Sequence, residues 1–371
     1  MKILADQNMP LVEAYFGEFG HVTRFDGRNV TPAQVEEADV LLVRSVTSVN
    51  EALLSNASKL KFVGTATIGV DHVDTEYLLS RDITFSSAPG CNAIAVAEYV
   101  ISTLFAFSQE LSMPLDGKTI GIIGVGSIGQ CLREKLAALN VNVMVCDPLR
   151  YEAGTLSEHT DIDSLLQHAD IITCHVPLVK SGVHKTKHLL NKQRLSKLKK
   201  GTILINASRG DVIDNQALLQ AMQEGAELEL ALDVWENEPN ILTDLLPYVR
   251  FASVHIAGHT LEGKARGTQM LYQALCEKEG KKATKTLADF LPVPELVDCV
   301  ISEEFCMADL GRLVHLVYDV RRDDGLLRRH LKTQGFDHLR KNYPRRREFS
   351  TLKVSGPKKL EPMLTQLGFA R

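Results

Sequence analysis

The sequence predicts an α/β protein with two parallel-sheet domains and a smaller α+β unit at its C-terminus. Three observations carry this prediction. Up to about residue 260, short apolar runs alternate with helical segments, the βαβ rhythm of parallel sheets. In the second half of that stretch the runs are apolar throughout, as strands are when helices cover both faces of a sheet. Beyond about residue 286 the texture changes, and LADFLPVPEL with its two prolines marks a boundary.

In the first unit MKILAD, HVTRF, VLLVRS, KFVGTAT and ITFSSAP read as strands, with helical pieces such as TPAQVEEA between them. The second unit begins near Asp116. Its strands are TIGIIGVG, VNVMVCD, DIITCHVP, GTILINAS, ELALDVW and RFASVHIAG. SIGQCLREKLAALN and DNQALLQAMQEG are intervening amphipathic helices, the second ending at Gly225, a suitable C-cap. The residues after 286 are too many for a tail and form a third unit.

Bulk properties narrow the function classes. A length of 371 residues suits two or three domains. With 44% hydrophobic and 24% charged residues the chain reads as soluble and globular, and its net charge of -4 gives no overall bias toward nucleic acid or membrane. No apolar run is long enough to span a bilayer. The N-terminus enters a strand-like run directly, which predicts no leader segment. Seven cysteines without a CxxC pair predict neither a full disulfide framework nor a structural metal, and fit the reducing cytoplasm.

GIIGVGSIGQ supplies Gly124, Gly126 and Gly129 as G-x-G-x-x-G, directly after a strand and opening a helix that begins with Ser127 and Ile128. The first glycine makes the tight turn, the second admits a pyrophosphate, and the third lets helix and strand pack closely. Asp147 ends the next strand, 18 residues past Gly129, where a carboxylate bonds a ribose 2′-OH and repels a 2′-phosphate. This predicts a Rossmann-type domain that binds NAD in preference to NADP, although Arg150 nearby offsets part of the Asp147 charge. A glycine turn that merely packs strand on helix is the plainer alternative.

Ligands of open α/β sheets gather at the carboxyl ends of the strands. Three polar segments stand there. NASRGDVID places Arg209 after GTILIN, LDVWENEP places Asp233 at a strand end and Glu238 five residues on, and SVHIAGHT places His255 after the last strand. An arginine, a carboxylate and a histidine suit the oxidation of an alcohol next to a carboxylate. Arg209 offers a planar fork to the substrate carboxylate. His255 takes the hydroxyl proton, and Glu238 orients the imidazole through its other nitrogen. Each residue alone has a structural explanation: a loop cap, a solvated turn charge, a buried histidine. Their convergence downstream of a dinucleotide loop favours catalysis.

These motifs together, GVGSIG, ASRGDVID, DVWENEP and HIAGHT, resemble the D-isomer-specific 2-hydroxyacid dehydrogenases over roughly residues 35 to 285. The resemblance implies a catalytic set of Arg209, Glu238 and His255. It implies cofactor contacts from Gly124, Gly126, Ser127, Ile128, Gly129, Asp147, Val176, Pro177, Ser208, Asp233 and Gly258. PGCNAIAVAEYV, HIAGHTLEGKARGT and YDVRRDD with FDHLRKNYPRRREFSTL are similar to one branch of that family, which carries an added C-terminal dimerisation domain. That similarity spans essentially the whole chain. It implies a flavodoxin-like substrate domain (1–94 and 265–285), an NAD-binding Rossmann domain (95–264) and a C-terminal dimerisation domain (286–371). It also implies NAD-dependent oxidation of 4-phospho-D-erythronate on the route to pyridoxal phosphate, with Ser45, Thr67 and His259 facing the substrate. Three residues depart from the branch's pattern: His259 stands for a tyrosine, Val176 for a threonine and Val254 for a proline.

Other outcomes stay open at this level. The same trio would serve 3-phosphoglycerate dehydrogenase or hydroxypyruvate reductase chemistry, and an NAD-sensing corepressor could use the same fold. From Arg321 to Lys359 there are 13 Lys/Arg against 4 Asp/Glu. That run reads as a solvated face, as a phosphate-binding face, or as arginines (Arg345, Arg346, Arg347) reaching the substrate phosphate. No nucleic-acid module accompanies it.

Overall fold

A computed structural model describes all 371 residues, in two compact units: 1–92 with 259–293, and 93–258 with 294–371. The first unit holds strands β1 (Lys2–Asp6), β2 (His21–Phe25), β3 (Val40–Val43), β4 (Phe62–Thr65) and β5 (Thr84–Ser86). All pair in parallel, in the order β2-β1-β3-β4-β5, the flavodoxin-like winding. Alternate side chains of these strands feed two layers. Ile3, Ala5, Val40, Leu42 and Phe62 pack on one face with Leu271, Tyr272 and Leu275 of the helix Leu261–Lys278. Leu4, Leu41, Val43 and Val63 fill the other face with Leu53, Leu54 and Leu78. The chain thus returns after residue 258 to complete the core it began.

The second unit carries a six-stranded, all-parallel sheet: β6 (Thr119–Ile123), β7 (Asn142–Cys146), β8 (Ile171–Cys174), β9 (Ile203–Asn206), β10 (Glu229–Leu232) and β11 (Val249–Ala252). The order is β11-β10-β9-β8-β6-β7. From β6 the chain steps outward to β7, then crosses back to β8 and proceeds the other way. The winding therefore reverses between β6 and β8, and the Gly124 turn follows β6 at that point. Helix Ala93–Glu110 lies in this core and is apolar nearly all round, with Val96 to Phe107 buried.

Residues 294–371 cluster with the second unit. They form helices Met307–Val317, Val320–Gln334, Phe336–Lys341 and Glu361–Leu367, and a two-stranded parallel ladder of β12 (Asp298–Val300) and β13 (Lys353–Ser355). Leu310, Leu327, Phe349 and Leu364 join the same core as β6–β11. Most cations of the basic run are exposed, as the solvated-face reading expects, but a few are drawn inward. Arg346 and Arg347 are only 5% and 7% exposed, and Arg328 and Arg321 pair with Asp324 (2.9 Å) and Asp319 (2.7 Å). An aromatic ring explains part of this placement: the Arg346 guanidinium lies 3.5 Å from the Tyr318 ring centre. Arg345 alone of the RRR triplet is well exposed, 3.6 Å from Glu295.

Candidate active site

The phosphate-binding turn is built by its glycines. Gly124 has φ +90°, a left-handed conformation that a side chain resists. A Cβ on Gly129 would lie 2.0 Å from the Gly124 carbonyl oxygen, so only glycine lets helix Ser127–Leu136 start against the turn. At Gly126, the N-cap of that ten-residue helix, a Cβ would meet no atom within 4 Å. The first turn of the helix contains no acidic residue. Open space, free amides and the positive helix end fit a pyrophosphate. Ser127 is exposed and Ile128 half-buried beside it. Asp147 tethers the turn, accepting from Val125 N (2.8 Å) and Arg150 N (3.1 Å), while the Arg150 guanidinium donates to the Val125 carbonyl. Its half-buried position after β7 suits a ribose-binding carboxylate. These residues fit NAD.

The three strand ends expected to carry chemistry are neighbours, because β9, β10 and β11 are adjacent in the sheet. After β11, His255 has φ +58°, which is sterically strained for a histidine. Its Nδ1 lies 2.8 Å from Glu238 Oε2. Glu238 Oε1 accepts from the Trp235 amide at 2.9 Å, so the carboxylate is fixed by its own loop before it meets the imidazole. Burial pushes the Glu238 pKa up, but the His255 charge and hydrogen bond, the Trp235 N–H and the Arg340 charge outweigh it and leave it below the ordinary value. With Nδ1 engaged, the Nε2 edge of His255 is the one available for proton exchange.

Arg209 follows β9. The Asn206 side-chain amide donates to its carbonyl (3.0 Å), and its guanidinium folds onto the Ser208 carbonyl (2.8 Å). Ser208 is buried, with its hydroxyl donating to Asn206 Oδ1 at 2.9 Å. The adjoining Gly210 abuts the next loop so closely that a Cβ would lie 1.9 Å from the Trp235 carbonyl carbon. The Arg209 and Glu238 loops are therefore in backbone contact. His188 (2.6 Å) and the Asn215 amide (2.7 Å) hold Glu236 in the same loop.

Asp233 is 1% exposed. One oxygen accepts from Ser253 Oγ (2.6 Å) and Ile256 N (2.8 Å), the other from Ala257 N (2.9 Å). Three donors from the His255 turn thus converge on it, which makes it an anchor of that turn. Sequence reasoning missed this role, because a carboxylate at a strand end reads equally as ligand and as brace. It also missed His175, directly after β8 and beside Val176 and the exposed Pro177. Burial pushes the His175 pKa down to about 3, so the ring is neutral, 2.9 Å from Thr173 Oγ1. Its carbonyl and the Val176 side chain back the Gly124 turn, 2.7 and 2.8 Å from where a Cβ would be. Gly258 ends this unit, half-buried.

Ser45, Thr67 and His259 belong to the other unit. Ser45 is exposed after β3 and Thr67 is half-buried after the adjacent β4, so both stand at carboxyl strand ends. Thr67 Oγ1 donates to the Gly69 carbonyl (2.8 Å) and lies 2.7 Å from Thr65 Oγ1, which in turn meets His72 Nε2 at 2.9 Å. His259 is half-buried and precedes Thr260, whose hydroxyl caps helix Leu261–Lys278 by accepting from Gly263 N at 3.0 Å.

Known proteins are similar to this chain in sequence and in fold. The NAD-binding domain of D-isomer specific 2-hydroxyacid dehydrogenases matches residues 98–260, and a domain of unknown function (DUF3410) matches residues 290–368. The erythronate-4-phosphate dehydrogenase of Pseudoalteromonas translucida is 64% identical over 369 residues, covering 100% of this chain and 99% of the relative. The chain belongs to the erythronate-4-phosphate dehydrogenase family. The Tolumonas auensis member is 48% identical, again over 100% of this chain and 99% of its own. The NAD-dependent formate dehydrogenase of Staphylococcus aureus, solved with NAD, superposes with a TM-score of 0.61 at 26% identity, covering 77% of this chain and 98% of that one. This chain thus extends beyond that shorter dehydrogenase, and residues 290–368 match a domain separate from the NAD-binding one. As a family member the chain is an NAD-dependent dehydrogenase of the D-2-hydroxyacid class.

Proposed function

We propose that the protein oxidises 4-phospho-D-erythronate to (3R)-3-hydroxy-2-oxo-4-phosphooxybutanoate in pyridoxal 5′-phosphate synthesis. The observation that carries the reading is the His255–Glu238 pair at 2.8 Å, beside the Arg209 loop, in a chain 64% identical to a relative of that name. Bound NAD would supply the acceptor for the C2 hydrogen, which leaves with its two electrons as hydride. Gly124, Gly126, Gly129 and Asp147 would hold its pyrophosphate and ribose, and Ser127, Ile128, Val176, Pro177, Ser208 and Gly258 would line its path. His255 Nε2 accepts the proton of the C2 hydroxyl as the carbonyl forms. Glu238 keeps the ring oriented and balances its charge. Arg209 swings from the Ser208 carbonyl to the substrate carboxylate, a planar match of fork to anion. Ser45, Thr67 and His259 contact the remainder of the substrate, with the His259 imidazole replacing a phenol as donor.

Residues 1–94 with 265–285 would serve as substrate domain and 95–264 as cofactor domain, with 286–371 forming a homodimer contact. Leu296, Val297, Val300, Met307 and Leu316 are each at least 45% exposed in that last segment, apolar surface that a partner would cover. No helix is long and apolar enough to cross a membrane, and the seven cysteines are unpaired, which supports a cytoplasmic site.

The test is NADH formation with 4-phospho-D-erythronate and D-3-phosphoglycerate in parallel, with a 2-oxo acid present to reoxidise NADH. A preference for 3-phosphoglycerate would overturn the substrate assignment and leave the dehydrogenase. His255→Ala and Arg209→Ala should each lower kcat by about 10²–10⁴-fold, and full activity in His255→Ala would overturn the mechanism.

A further inference from the structure

The turn that carries His255 is held from two opposite sides. On the amide side, Ile256 N and Ala257 N donate to the Asp233 carboxylate, and His255 N donates to the Asp233 carbonyl at 2.6 Å. On the carbonyl side the donors come from the C-terminal segment. Arg340 Nε donates to the His255 carbonyl at 3.2 Å, across 85 residues of chain. Arg346 Nη1 donates to the Ala257 carbonyl at 2.9 Å, and its Nη2 to the Ala95 carbonyl at 2.7 Å.

Arg346 is itself prepared for this. It is 5% exposed, stacked 3.5 Å from the Tyr318 ring centre, with Asp323 and Glu98 as its nearby carboxyl groups. Asp323 is fixed in turn by Tyr318 OH (2.6 Å) and Tyr343 OH (3.0 Å). Burying a guanidinium this deeply is unfavourable unless its charge and donors are satisfied, and the Tyr318 ring, the two carbonyls and the nearby carboxyl groups do this. Its two acceptors, Ala95 and Ala257, stand just inside the points where the chain enters and leaves this unit.

We propose that Arg340 and Arg346 are positioning residues for the acid–base histidine, gripping the carbonyl side of the His255–Ala257 turn opposite Asp233. The strained φ of His255 gives the reason. A non-glycine residue in the left-handed region persists only where its surroundings over-determine it. Here an acid takes the amides and two arginines take the carbonyls. Arg340 has a second effect, since its charge also favours the ionised form of Glu238. The C-terminal segment thereby becomes part of the catalytic frame as well as a surface for assembly. This rests on His255 being the acid–base group.

The experiment compares Arg340→Gln, Arg340→Lys and Arg346→Lys with Arg345→Gln, an exposed neighbour, as control. Two readouts are needed: kcat and KM with NAD and 4-phospho-D-erythronate, and hydrogen exchange of the 253–258 amides in the protein without ligands. Losing a charged donor should lower kcat about ten- to hundredfold while the KM for NAD stays within about twofold of wild type. Exchange at Ile256 and Ala257 should accelerate by a similar factor with amides of β6 to β9 unaffected. Arg340→Lys should recover part of the rate, because it restores the charge. Unchanged kcat and unchanged exchange in Arg340→Gln would overturn the proposal, and so would a uniform rise in exchange across the sheet. If Arg346→Lys fails to fold, the Arg340 pair decides. If wild-type protein oxidises neither hydroxy acid, the functional reading fails, and the exchange data still decide whether the arginines hold the turn.

Discussion

Asp233→Asn separates two roles for one buried carboxylate, and its size can be worked from the geometry. The native group accepts three hydrogen bonds at 2.6, 2.8 and 2.9 Å. Asparagine has the same shape but only one acceptor oxygen. If that oxygen faces Ser253 and Ile256, the new NH₂ points at the Ala257 amide and leaves it without an acceptor. If the amide is flipped, Ser253 can turn to accept, but Ile256 N is stranded. One buried backbone amide is orphaned either way, which costs about 1–3 kcal/mol, and the two surviving bonds each lose about 1 kcal/mol with the charge. The expected loss is about 3–5 kcal/mol. Trp235 is the only tryptophan in the sequence, is 2% exposed, and its indole N–H donates to the Ser253 carbonyl at 2.9 Å. Its fluorescence therefore reports on this region during urea unfolding. The Trp235 transition should move to lower urea by that amount, and kcat should fall because His255 loses its frame. A transition within about 1 kcal/mol of wild type, together with a raised KM for NAD, would refute this. The carboxylate would then be a cofactor contact, as the family resemblance alone implies.

Three further substitutions probe other parts of the site. Gly210→Ala would put a methyl 1.9 Å from the Trp235 carbonyl carbon, so the Arg209 loop must withdraw; stability should fall by at least about 1–3 kcal/mol and kcat with it, as read by thermal unfolding and steady-state rates. Glu238→Gln should lower kcat and also flatten the acid limb of stability. The Glu238 pKa is depressed on folding, so its contribution is present above the ordinary carboxylate value of 4.5 and is lost as pH falls through the lower folded value. Urea titrations from neutral pH down to about 3 should show wild type losing more stability than the variant. Asp147→Asn removes the charge that discriminates against a 2′-phosphate, and the ratio of kcat/KM for NAD over NADP should drop at least about tenfold, with an unchanged ratio counting against the ribose assignment.

Most strands were legible as short apolar runs, and the expectation of two parallel sheets holds for β1–β5 and β6–β11. Apolar runs say nothing of order, so the reversal between β6 and β8 was not legible in them and is seen in the strand order. Arg209, Glu238 and His255 were legible as residue types at strand ends. That the Gly210 backbone presses on Trp235 was not, although a glycine directly after the arginine was the available clue. The basic C-terminal run was legible as an exposed face at most of its positions, but not at Arg346 and Arg347. Composition reads thirteen cations as a surface, whereas Arg346 spends its fork on two carbonyls 89 and 251 residues away. Backbone carbonyls are present at every position, so no sequence pattern announces which of them an arginine will reach.

The same physics explains why an added C-terminal segment can matter to chemistry that shorter dehydrogenases perform without it. A histidine must hold its ring against Glu238 while its backbone sits in a strained left-handed conformation. Strain of that kind is about 1–3 kcal/mol, enough to empty the conformation unless it is offset locally. Asp233 supplies acceptors for the amides of the turn, but a carboxylate can do nothing for the carbonyls. Those need donors, and a guanidinium offers several of them in a rigid planar fork. Two arginines anchored on Tyr318 and on helix Phe336–Lys341 meet that requirement. Catalytic geometry and C-terminal packing are then one structural problem, and substitutions of Arg340 and Arg346 should register first in kcat.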